Sequence, residues 1–287
     1  MDWVQLGQQL WFGLMNGAIY VMFASGLSLV FGVMKVFNMA HGEVAMLGAM
    51  LLFSFIAYAG IPYPAAVLLA IASMGLFGIF MNRLTVQPFV GTSRLIVMMS
   101  TLALSYVMLH GSVNIWGTTP KAVKPPFREV FNVAGVAVSA RSLMIFCIGA
   151  IAIFLVYLLL TRTPLGKMMR ATSQNLIGAQ LVGINIRRVY DSTLIIASAL
   201  AALAGVLLVL IQTTHPNMGQ PLLIMGFAVV IVAGLGNLLG AVVLGLVVGI
   251  LEAMFGQYVE TYFKRTFIYG LMIVVLLIRP QGLFGRT

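Results

Sequence analysis

The residue groupings in this chain that could carry chemistry are few, and each fails a spacing test for catalysis. Gly166-Lys167 is the only Gly-Lys pair. It lacks both the preceding glycine spacing and the following Ser or Thr that a phosphate-cradling loop needs. His41-Gly42-Glu43 has the His-x-Glu form of a zinc deaminase element, but no paired cysteines follow, and Cys147 is the only cysteine. Gly26-Leu27-Ser28 is not a nucleophile elbow, because Val30 stands where that turn requires glycine. Among the acids, Glu43 and Glu252 fall at or inside apolar stretches, where ionisable groups usually mark function. A carboxylate at Glu43 gains from the positive end of a helix that starts there, so it reads as a cap fixing the turn or as a contact for a solute. Glu252 must face another helix or water. His110 is expected to satisfy a local hydrogen bond, since no chain of acids accompanies it. An enzyme is therefore not expected, nor a metal, a cofactor or a disulfide framework.

A different kind of site lies between Arg162 and Tyr190, a polar interruption with five basic residues: Arg162, Lys167, Arg170, Arg187 and Arg188. Thr163-Pro164 reads as an N-cap followed by proline at the first helical position. A second short helix is expected from near Thr172 or Ser173, with Ile177, Leu181 and Ile184 on one apolar stripe and Gly183 placed to end it. Such a helix suits docking to another protein, or resting on lipid headgroups.

The elements around these residues belong to a membrane. The chain is 61% hydrophobic and 8% charged over 287 residues. Uncharged runs such as Val44 to Asn82 and Ser192 to Leu251 far exceed the roughly 20 residues of one helical crossing. They are continuous rather than alternating, which excludes a barrel. The net charge of +10 is spread over segment ends, so it does not signal nucleic acid. The pattern predicts an all-α polytopic bundle, one domain over residues 1–287, with eight or nine membrane segments. They cover about Leu10 to Val33, a second from the Asn38-to-Glu43 turn to about Ala59, a third from the break at Gly60, Pro62 and Pro64 to Asn82 and Arg83, then Leu95 to Ile115, Ser142 to Leu160, Ser192 to Thr213, Leu222 to Val232, Gly240 to Tyr258 and Phe267 to Ile278. The seventh is short enough to be re-entrant. Residues Trp116 to Arg141 read as an extramembrane loop with little regular structure. With the N-terminus outside and nine passes, the inside receives Lys35, Arg83, Arg94, the five loop residues, Arg279 and Arg286. The outside receives Lys121, Lys124, Arg128, Arg141, Lys264 and Arg265. The positive-inside rule favours that orientation, with the loop in the cytoplasm.

Five stretches then point together. They are Asn16-Gly17 through Gly26-Leu27-Ser28-Leu29-Val30-Phe31-Gly32-Val33; Phe37-Asn38-Met39-Ala40-His41-Gly42-Glu43; Arg162-Thr163-Pro164-Leu165-Gly166 through Gly183-Ile184-Asn185; Gly234-Leu235-Gly236-Asn237 through Ala241; and Arg279-Pro280-Gln281-Gly282-Leu283-Phe284-Gly285. In this order they resemble the LivH-type permease subunits of bacterial ABC importers for branched-chain amino acids. The resemblance implies a type II importer-like permease in the bacterial inner membrane that binds no ATP itself. Its implied partners are a second related permease, two cytoplasmic ATPases that bind the ATP, and a periplasmic binding protein. The docking helix would be the coupling element, with Thr172, Asn175, Ala179, Leu181, Gly183 and Ile184 at the ATPase. Asn16, Asn38, His41 and Glu43 are the candidates for the translocation pathway. Similar permeases carry urea, short amides or aromatic acids, so the solute class stays open. A stand-alone channel or gradient-driven carrier is the reading from another class.

Overall fold

A computed structural model describes residues 3–124, 127, 129–133 and 135–285. Arg128 and Arg286 of the charge count, and Pro125 and Pro126 of the polar stretch, lie outside the described residues. The helices are α1 (Trp3–Met34), α2 (His41–Ala57), α3 (Tyr63–Met81), α4 (Arg94–Trp116), α5 (Ala140–Arg162), α6 (Pro164–Gln174), α7 (Leu176–Leu181), α8 (Ile186–Leu208), α9 (Gly219–Ala233), α10 (Leu238–Tyr258) and α11 (Lys264–Ile278). Among the described residues, seven helical stretches are long and apolar enough to cross a bilayer, fewer than the eight or nine expected. The shortfall lies in α2 and α11, which have 17 and 15 residues. The predicted seventh segment is not among the short ones, because a 3-10 turn at Pro216–Met218 extends α9 into a stretch of 18 residues.

The bundle is built on α1, whose residues from Gly13 onward are mostly buried. Gly13 and Gly17 lie against the backbone of Ile250 and Leu246 on antiparallel α10; a Cβ at Gly13 would sit 2.6 Å from the Ile250 Cα. Small residues allow this approach where lipid leaves no hydrophobic drive between helices. α3 and α8 pack the same way, with Gly78 on the Leu194 carbonyl.

α2 is short because it starts inside the bundle. After Met34 the chain reverses at Lys35, the one non-glycine residue with positive φ (58°) among the described residues, and returns as largely buried, non-helical chain through Asn38 to a turn at Met39 and Ala40. His41 then stands beside Phe23, well short of the end of α1. α8, the 3-10 turn and α9 repeat this device in the opposite sense. The two breaks meet where Gly42 and Gly219 touch: a Cβ on either would lie 2.5 Å from the other's carbonyl oxygen.

Residues 116–139 are not irregular throughout. β1 (Val130–Val133) and β2 (Val136–Ser139) form an antiparallel hairpin tied to α1 by Gln8, which exchanges two hydrogen bonds with the Ala137 backbone, each 2.9 Å. Strands of four residues each are too short for a hydrophobic alternation that a sequence reading can find. The hairpin marks one end of the bundle, together with the start of α1, the α2–α3 turn and the α10–α11 turn. The other end gathers Lys35, residues 82–93, the α5–α8 connection, the α9–α10 turn and residues 279–285. Among the described residues the second end holds Lys35, Arg83, Arg94, Arg162, Lys167, Arg170, Arg187, Arg188 and Arg279. The hairpin end holds Lys121, Lys124, Arg141, Lys264 and Arg265.

Candidate functional site

At the basic end, α6 begins as the sequence predicts: Thr163 Oγ1 accepts from the Gly166 N–H at 3.1 Å and Pro164 takes the first position. The second helix differs from expectation. Thr172 and Ser173 belong to α6, and the break falls at Asn175, whose extended backbone stops α6 while its Oδ1 accepts from the Gly178 N–H at 2.8 Å. An asparagine that caps one helix cannot also continue the last, so α7 has only 6 residues. Thr172 is buried on α6 with its hydroxyl unpartnered, and Asn175 is exposed. Gly183 ends the element at φ 83°, and the Ile184 N–H reaches back to the Ala179 carbonyl. The expected stripe is divided. Ile177, Leu181 and Val182 are 69%, 83% and 76% exposed, Ile184 packs on the core, and Ala179 is buried. All five basic residues of the connection that carries this apolar knob, Arg162, Lys167, Arg170, Arg187 and Arg188, are exposed.

α6 seats the knob on the bundle. Met169 is buried and forms a pocket wall with Ser28, Leu29, Gly32 and Val33 of α1. Gly166 lies against the Leu159 and Leu160 carbonyls of α5.

Of the residues assigned to the pathway, three come together at the start of α2. Asn38 Oδ1 accepts from the Ala40 N–H at 3.1 Å, and its Nδ2 points to Met81 Sδ at 3.7 Å. His41 Nε2 is 3.3 Å from the Phe23 carbonyl, with its Nδ1 unpartnered. Glu43 is buried beside Gly219, with Oε2 unpartnered. These side chains are packed between helices, and none of them lines a cavity described here. Asn16 is elsewhere, in a cavity of about 290 Å³ toward the hairpin end, shared with Glu252, Gln257 and Lys264.

That cavity exposes a cluster the sequence reading only half found. Glu252 is buried and accepts from the Tyr20 hydroxyl at 2.5 Å, with Lys264 Nζ at 3.4 Å and Arg265 Nε at 4.0 Å. A second cavity of about 250 Å³ lies across it, lined by Tyr20, Leu208, Gln212, His215, Met218, Pro221, Leu222, Met225 and Arg265. The intramembrane acid and the adjacent Lys264-Arg265 pair were the available signals; that Tyr20 closes the group depends on how α1 packs on α10. His110 departs from expectation: it is exposed on α4 and stacks on Tyr106 at 6.3 Å, with no hydrogen bond among the described residues.

Residues 9–276 match the family model described as branched-chain amino acid transport system / permease component. The chain is 31% identical to the high-affinity branched-chain amino acid transport system permease protein BraD of Pseudomonas aeruginosa, covering 97% of this chain and 95% of that one. Identity to LivH of Escherichia coli K12 is 30% over the same shares, and to a probable LivH of Methanocaldococcus jannaschii 29%, over 93% and 89%. Among solved structures, PsaBC from Streptococcus pneumoniae in complex with Fab superposes with a TM-score of 0.53 at 13% identity, covering 96% of this chain and 92% of that one. At that identity the likeness shows a shared helical fold.

Proposed function

The chain belongs to the family of branched-chain amino acid transport permeases, and on that premise we propose that it is one membrane subunit of an ATP-driven importer. It moves branched-chain or related amino acids across the inner membrane by alternating access. The partners are a second related permease, two cytoplasmic ATPases and a periplasmic binding protein. The single observation that carries the reading is the α7 knob. Ile177, Leu181 and Val182 are exposed on a short helix capped by Asn175, within a connection that carries five exposed cations. Burying an aliphatic side chain of this size is worth about 1.5–3 kcal/mol, so three of them left outside favour an apolar groove on a partner. The chain has no phosphate loop of its own, so the partner is the ATPase. The excess of basic residues at this end supports its placement in the cytoplasm.

The mechanism follows from the seating of α6. A rigid-body displacement of α7 passes through the Asn175 cap to α6, and through Met169 and Gly166 to α1 and α5. α1 also carries the contact with His41, and the α2 and α9 breaks meet beside it. Closure of the ATPases thus tilts the helices whose breaks lie deep in the bundle, which is a coupling between two distant sites.

The test uses Leu181→Asp in the reconstituted importer. The side chain is exposed, so the variant is expected to insert and fold as wild type while substrate-stimulated ATP hydrolysis and uptake fall at least tenfold. Wild-type coupled activity in this variant rejects the docking role.

A further inference from the structure

We propose that the hairpin-end cavity around Arg265 is a solute subsite selective for an aliphatic carboxylate, in which Arg265 takes the carboxylate and Leu208, Leu222 and Met225 take the hydrocarbon chain. The proposal rests on the transport reading above and narrows its substrate class. The cavity, about 250 Å³, is below the roughly 300–1,000 Å³ of pockets for drug-sized ligands, and a small amino acid matches it. Its wall is divided by chemistry. Leu208, Met218, Leu222 and Met225 are apolar, whereas Tyr20, Gln212, His215 and Arg265 are polar. An amphiphilic wall of this kind has no use for urea, which offers neither a charge nor a chain.

Arg265 is available to a ligand. Its nearest recorded approach to Glu252 is 4.0 Å through Nε, whereas Lys264 is closer at 3.4 Å and Tyr20 donates at 2.5 Å. Glu252 therefore draws its main partners from Lys264 and Tyr20. The guanidinium's terminal N–H groups have no acceptor among the described residues, and its side chain is about half exposed. The planar guanidinium fork matches a carboxylate bidentately. Glu252 is a positioning residue here. It holds the start of α11 against α1 and α10, and it keeps Arg265 at the cavity mouth. The ammonium of an amino acid meets the Tyr20 hydroxyl oxygen and the Gln212 amide oxygen, acceptors on the same wall. The site lies between the hairpin end and the α2–α9 break, on the side from which a periplasmic donor delivers. Weak retention there is what a pathway requires, because a solute held tightly would leave slowly.

The test compares wild type, Arg265→Gln, Arg265→Lys and Leu222→Phe in the complete importer, in proteoliposomes with saturating binding protein. Uptake of labelled leucine and alanine is measured alongside capture of the binding protein by the permease. Arg265→Gln is expected to lower leucine uptake about tenfold with unchanged capture, and Arg265→Lys to restore much of it. Leu222→Phe, which fills the apolar half, should reduce leucine uptake more than alanine uptake. Wild-type leucine uptake in Arg265→Gln overturns the subsite. So does a loss that tracks weakened capture of the binding protein, which would make Arg265 a docking cation. If the wild-type complex moves no amino acid at all, the transport reading itself has failed instead.

Discussion

Glu252 shows how much a single residue's setting departs from what its type suggests. Acids inside spans are rare and face a partner or water, and that much was readable from its place in an apolar run. That it does both, closing on Tyr20 and Lys264 while walling a cavity, depends on helices 232 residues apart in sequence. Its substitutions should separate the contributions. Glu252→Gln keeps an acceptor for the Tyr20 hydroxyl and releases two cations that water can reach, so it should cost less than about 1 kcal/mol. Glu252→Ala removes that acceptor as well, at about 1–3 kcal/mol. Unfolding of the purified importer in graded dodecyl sulfate should therefore rank wild type, Gln and Ala in that order, and equal losses would remove the Tyr20 bond from the account. The knob teaches the same lesson. Helical spacing put Ile177 and Leu181 on one face, and they are; it could not show that Ile184, past the αL turn at Gly183, folds back to the core. Ala179 is buried while Leu181 is 83% exposed, so a charge at 179 disturbs the loop's own packing, and only a charge at 181 reads docking cleanly.

At the scale of elements, the sequence disclosed what punctuation discloses. Thr163-Pro164 and Gly183 act as read, and the predicted boundaries of α4 and α10 fall within two residues of those observed. What it did not disclose is how deep the breaks lie. Residues 35–40, between the first two predicted segments, carry no proline or glycine, yet after the exposed Lys35 they enter the interior, where Asn38 and the start of α2 find partners. Beyond α3, residues Asn82–Val86 continue as a π-helix, where Asn82 Nδ2 donates to Asp191 on α8 at 2.7 Å. Insertions of this kind appear where function or packing demands them. The Gly42–Gly219 contact is the most exacting of these junctions. An alanine at Gly42 would place its Cβ 2.5 Å from the Gly219 carbonyl oxygen and 2.9 Å from Leu223 Cβ. The first of these neighbours is backbone, so the two broken helices must separate. Gly42→Ala is expected to lower both the yield of folded permease and leucine uptake per folded molecule by several-fold. Uptake per molecule at the wild-type level would show that the breaks move independently.

The whole molecule sorts its charge by end. Among the described residues, the α6–α7 end collects Lys35, Arg83, Arg94, Arg162, Lys167, Arg170, Arg187, Arg188 and Arg279, against Asp191 as its acid. The hairpin end has Lys121, Lys124, Arg141, Lys264 and Arg265, offset by Glu129, Glu252 and Glu260. Short connections with excess Lys and Arg are retained in the cytoplasm, and every connection at the α6–α7 end is short. The bias was legible in sequence because it needs only segment ends. That Gly234–Asn237 and residues 279–285 close on one another needed the fold, since Asn237 Nδ2 donates to the Phe284 carbonyl at 2.9 Å across 47 residues. This closure brings the end of α11 to the same side as α7 and makes the orientation a single question. Cys147 is the only cysteine, so replacing it with serine gives a background for Gln174→Cys on α6 and Thr261→Cys in the α10–α11 turn, both exposed. A membrane-impermeant maleimide should label Thr261→Cys in intact cells and Gln174→Cys only in inverted vesicles. The reverse pattern would put the knob in the periplasm, out of reach of the proposed ATPase partner, and the proposed coupling route through α6 to α1 would have nothing to transmit.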